Sequence, residues 1–171
     1  MKTKKLAEMS MLAAIALIIF IVESRIPTLA PVPGMKLGLA NIITVFSLYR
    51  FKPSEAAMIL LVRVILGSVF AGNISSLMYS VSGAAACLAG MIFMKRIIPE
   101  KYLYLSSACG ALFHNAGQTA AACVIMKTIA VISYFPFLVV SGTIAGLFTG
   151  FCAMFVLKRL ERHTPSADTE K

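Results

Sequence analysis

The sequence predicts an all-α membrane protein: a bundle of six transmembrane helices with both termini in the cytoplasm. Three observations carry that expectation. Of 171 residues, 59% are hydrophobic and 13% charged, with a mean hydropathy of +0.88. An ordinary soluble domain is about 45–50% apolar and roughly 25% charged. The apolar residues fall into six runs, at 6–22, 37–49, 54–71, 74–94, 102–126 and 129–157. Finally, Lys and Arg gather in alternate connections between those runs.

The runs can be taken in order against a bilayer core of ~30 Å, which needs about 20 helical residues. The first follows Lys2, Lys4 and Lys5 and resembles a secretory signal. Its apolar stretch is too long, however, and Thr28-Leu29-Ala30 is followed by Pro31, a poor cleavage context, so a retained helix is expected. The second run is short and the least secure of the six. The third, fourth and fifth are long enough to cross. The sixth is overlong and carries Pro136, which marks a kink or the end of an interfacial lead-in. This gives a six-helix transmembrane domain over 1–161 and a polar cytoplasmic tail over 162–171.

With the N-terminus inside, twelve Lys and Arg fall in cytoplasmic segments, among them Lys5, Arg50, Lys52, Lys95, Lys101 and Lys158. Only Arg25, Lys36 and Lys127 fall outside. That asymmetry follows the positive-inside rule and places a multi-pass protein in the cell inner (plasma) membrane. The net charge of +9 therefore reads as anchoring, and nucleic acid is not expected as a partner. The first outside connection, 23–36, is rich in proline (Pro27, Pro31, Pro33) and suits a cap over an external opening. Cys87, Cys109, Cys123 and Cys152 lie in apolar segments without CxxC spacing and read as packing residues.

Polar residues inside the runs are the informative ones. Arg63 lies near the middle of the third, where a guanidinium costs at least ~2.5–3.5 kcal/mol on insertion scales. The seven acids all fall at ends, loops or tail, so no counter-ion is expected at its depth. Either Arg63 braces helix ends through carbonyls and amides, or an anionic ligand satisfies it. In the fifth run, His114 and Gln118 stand one turn apart on one face, with Asn115 beside them and Gly117 allowing close approach. The trio reads as a ligand site or as interhelical hydrogen bonding. Asn41 and Asn73 are weaker candidates, since Asn73 follows Gly72 and suits a turn.

Small residues step by four at Ser82, Ala86 and Gly90 and at Gly142, Gly146 and Gly150, a pattern that lets helices pack closely. Ser10 and Ala14 form a shorter stripe on the first run, suited to docking another membrane subunit. No metal site is expected, because the polar cluster has one His and no carboxylate or thiolate at ligand spacing. There is no phosphate-cradling G-x-x-x-x-G-K-[ST] loop. A single Asp, Asp168, excludes an aspartate-rich Mg²⁺–diphosphate motif, and no Ser/His/Asp triad can be assembled. The chain is thus expected to be no enzyme and to need no cofactor.

Met35-Lys36-Leu37-Gly38-Leu39-Ala40-Asn41, Arg63-Val64-x-Leu66-Gly67 and His114-Asn115-x-Gly117-Gln118, taken in order, resemble the Gx transporter family over about residues 6–158. That family also carries the name heptaprenyl diphosphate synthase component I. It is similar to the S components of energy-coupling-factor (ECF) transporters, six-helix membrane subunits with both termini inside. The resemblance implies a subunit that takes a small molecule, such as a vitamin or quinone precursor, from outside. It also implies a transmembrane coupling subunit and two ATPase subunits as partners. The coupling subunit would dock on Ser10 and Ala14, with Ser10 where alanine is usual. Arg63, His114, Asn115, Gln118, Asn41 and Asn73 would bind the substrate. The alternative is a non-catalytic membrane subunit beside a soluble heptaprenyl diphosphate synthase.

Overall fold

The computed structural model describes residues 3–25, 38–71 and 74–163. Regular structure there is helical throughout: α1 (Thr3–Arg25), α2 (Asn41–Arg50), α3 (Pro53–Ala71), α4 (Ile74–Ile97), α5 (Leu103–Met126) and α6 (Phe135–His163). Short 3-10 turns at Glu100–Tyr102 and Ala130–Tyr134 precede α5 and α6. Pro136 falls in the first turn of α6, where its missing N–H costs no helical bond, so it ends a lead-in and introduces no kink.

Among the described residues, four helices are long and apolar enough to cross a membrane, where six were expected: α1, α3, α4 and the stretch Ala130–Leu160 that contains α6. The two exceptions differ for separate reasons. At 24 residues, α5 is about 36 Å long, enough to cross, but it is rich in polar residues. Eleven of its residues are buried, including Ser106, Ser107, His114, Asn115 and Gln118, so its polarity faces protein. At ten residues, α2 reaches only about 15 Å, half a bilayer core. Seven of those ten are buried, so α2 fills the bundle from within.

The outward faces are apolar. Met11, Ile18 and Val22 on α1, Val69 and Phe70 on α3, and Phe148 and Phe155 on α6 are all exposed, a pattern that suits a lipid solvent.

The residues counted as cytoplasmic converge on one end. Lys5 pairs with Glu55 at 2.8 Å and lies over the Phe51 ring. Lys95 donates to the Leu48 carbonyl at 2.7 Å and sits 4.8 Å from the centre of the Tyr49 ring. Lys101 and Lys158 line one groove with Glu100. These contacts gather the starts of α1, α3 and α5 with the ends of α2, α4 and α6. An apolar cluster under this basic end includes Phe46, Leu48, Met91, Leu103 and Leu157.

The centre of the bundle is α5, which packs most extensively on α4 and α6. The small-residue stripes make this possible. The Ser82 hydroxyl donates to the Gly117 carbonyl at 2.7 Å. A Cβ on Gly146 would lie 2.7 Å from the Ala108 Cα, and one on Gly150 would lie 2.6 Å from the Tyr104 Cα. Side chains at either position would collide with main chain. On α1, Ser10 and Ala14 are exposed, whereas Ala13 turns inward.

Candidate functional site

Arg63 is a buried charge in the middle of α3. It stands eight residues, about 12 Å, along α3 from Glu55 at the basic end, and it is 5% exposed. Its Nη1 makes a long hydrogen bond, 3.4 Å, to Asn41 Oδ1. Its guanidinium carbon lies 5.4 Å from the centre of the Phe20 ring, within cation–π range.

Asn41 opens α2, so this half-helix begins in mid-bundle beside Arg63. Just before it, Gly38 adopts φ +83°, a conformation that L side chains rarely take. A Cβ there would lie 2.8 Å from Asn41 Nδ2 and 3.4 Å from His114 Cδ2. Gly38 is therefore where α2 meets α5. On the far side of the imidazole is Gly83 of α4, whose added Cβ would lie 2.9 Å from His114 Cε1 and 2.7 Å from Gln118 Cγ. Arg63, Asn41, His114 and Gln118 thus form one contiguous cluster, contributed by α2, α3 and α5 and walled by Gly83 of α4.

Among the described residues, each member keeps a buried polar atom without a hydrogen-bond partner: Arg63 Nε, Asn41 Nδ2, His114 Nδ1 and Gln118 Oε1. His114 Nδ1 lies beside the Gly83 backbone, where no bond of ordinary geometry closes. A buried polar group left unsatisfied costs about 1–3 kcal/mol, and such groups are few in folded proteins. The other atoms of this kind among the described residues, on Ser47, Tyr49 and Ser106, lie nearer the basic end.

Asn115 belongs elsewhere. Its Nδ2 donates to the Leu138 carbonyl at 2.7 Å, and the amide fills the space a side chain on Gly142 would need. Thr119 donates back to the Asn115 carbonyl at 2.8 Å. Adjacent helical residues point about 100° apart, so Asn115 faces α6 while His114 faces α2 and α4. Asn73 and the proline-rich part of the 23–36 connection lie outside the described residues.

The expectation that Arg63 lacks an acid at its depth is overturned by Glu23. This residue is 4% exposed near the end of α1. Oε1 accepts from the Gly38 N–H at 2.5 Å, and Oε2 accepts from the Ala40 N–H at 3.3 Å. Glu23 and Arg63 are close enough to attract one another without a direct ion pair. The sequence held a signal for it: the buried positions of α1 are Met9, Ala13, Ala16, Phe20 and Glu23, alternating steps of four and three. Glu23 continues that inward stripe beyond the apolar run.

Among the described residues, no three His, Cys, Asp or Glu side chains converge as metal ligands would. What the cluster offers is hydrogen bonding in a dry, apolar surround, the means of holding a small polar molecule.

A family model described as heptaprenyl diphosphate synthase component I matches residues 12–156. Nothing among the curated proteins and nothing among the solved structures matches the chain significantly.

Proposed function

The chain belongs to the heptaprenyl diphosphate synthase component I family, and from that premise we propose that it is a substrate-binding membrane subunit, the S component of an ECF-type importer. One observation carries this reading. Three helices bring Arg63, Asn41, His114 and Gln118 together, and each side chain keeps a hydrogen-bonding atom that the described residues leave unmet. Buried polar groups persist against their cost where a ligand repays it. The cargo is a small molecule such as a vitamin or quinone precursor. The chain crosses the plasma membrane six times with both termini cytoplasmic. It performs no catalysis. A transmembrane coupling subunit docks on the exposed Ser10 and Ala14 face, and two ATPase subunits drive uptake.

The family description favours a second reading, a non-catalytic membrane subunit beside a soluble heptaprenyl diphosphate synthase. Co-purification separates the two. ATPase and coupling subunits support the importer, and a soluble prenyltransferase supports the synthase.

The site is tested with Arg63→Ala and His114→Ala proteins, by native mass spectrometry for retained small molecules and by uptake in cells. Both variants are expected to lose the retained molecule while still inserting in the membrane. Unchanged retention in both removes the site assignment.

A further inference from the structure

We infer that the Arg63 cluster is built to hold an uncharged molecule with hydrogen-bond donors and acceptors on one edge, such as an amide or lactam, and that Glu23 is the residue that sets this preference. The inference rests on the proposed binding role and names its ligand class.

Two lines of geometry support it. The first is charge. Both Glu23 oxygens accept from backbone N–H groups at the approach to α2, the bonding pattern of an ionised carboxylate at a helix N-terminus. From Glu23 the chain of contacts runs through Gly38 to Asn41 and from Asn41 to Arg63, so the acid and the guanidinium share one buried network. Phe20, one turn before Glu23, stacks on the same guanidinium. With Glu23 negative and Arg63 positive, the network carries no net charge. A carboxylate or phosphate ligand would therefore arrive as an unbalanced buried ion, beside a carboxylate already present.

The second line is the pattern of unmet atoms. Arg63 Nε and Asn41 Nδ2 are donors only, and the bond from Arg63 to the Asn41 oxygen fixes which way that amide faces. Gln118 Oε1 can only accept. An anion has acceptors alone and would leave Gln118 Oε1 facing lone pairs. An amide edge meets both kinds.

The test uses the full-length protein in detergent and two isosteric probe pairs, nicotinamide against nicotinate and benzamide against benzoate, read as shifts in the thermal unfolding midpoint. The wild-type protein is expected to be stabilised by the amides and to bind the carboxylates about tenfold more weakly. Glu23→Gln, which leaves Arg63 unbalanced, is expected to reverse the order. Should Glu23→Gln not fold, Glu23→Asp keeps the negative charge and is expected to retain the amide preference; a switch to the carboxylates in that variant would overturn the inference. Carboxylates preferred by the wild-type protein, with that preference lost in Arg63→Ala, would overturn the inference while leaving the binding role standing. Indifference of the wild-type protein to all four probes would overturn the site and the inference together.

Discussion

On the side of α5 that meets α6, Asn115 donates to the Leu138 carbonyl and the Ser107 and Thr149 hydroxyls meet at 3.1 Å. On the side that meets α2 and α4, one residue away, His114 and Gln118 keep polar atoms with no partner. The two faces carry similar side chains at similar depth. What separates them is closure. Toward α6, glycines bring the backbones close enough for short side chains to reach across, and the polar groups knit the helices. Toward α2, the backbone at Gly38 breaks from the helix and leaves hydrogen-bonding capacity over. Polarity within a bundle does not identify a binding site; polarity left unanswered does.

The contrast can be broken first at its rigid face. Gly146→Leu would drive a side chain into the Ala108 backbone and is expected to cost about 3 kcal/mol. That cost would appear as a large fall in unfolding midpoint and in yield. Next, Asn115→Leu removes one donor and leaves the Leu138 carbonyl without this partner, an expected loss of about 1–2 kcal/mol with ligand retention unchanged. The open face should respond in the opposite sense. Gln118→Met deletes an unmet acceptor, so thermal stability is expected to hold or to rise by about 1 kcal/mol while the retained molecule is lost. If Asn115→Leu abolished binding and Gln118→Met did not, the assignment of the two faces would be reversed. The smallest effect is expected at the basic end, where Glu55→Gln removes the Lys5 pair. That shift should fade as salt is raised.

The helical character, the basic end and the inward placement of Arg63, His114 and Gln118 were all legible in the sequence, because apolar runs, loop charge and a four-residue step are local signals. Three things were not. The run 37–49 read as short, but the start of α2 at Asn41 was not legible, because the turn through Gly38 to Ala40 depends on a carboxylate fifteen residues earlier. Glu23 was assigned to a loop because it follows the last apolar residue of its run, although its spacing from Phe20 and Ala16 places it on the inward stripe. Asn115 was grouped with His114 by adjacency, when helical rotation sends neighbours to different helices. Helical periodicity could have placed Glu23 and Asn115 on their faces, whereas the turn at Gly38 rests on a contact between distant segments that periodicity does not encode.

Gly38 carries one further consequence. Because it has no side chain, bare main chain forms the wall between the Asn41 amide and the His114 ring. A peptide unit cannot be altered by substitution, so this wall stays constant while Asn41 and Gln118 are free to vary. Relatives that recognise different molecules would be expected to diverge at those two amides and to keep glycine between them and the imidazole.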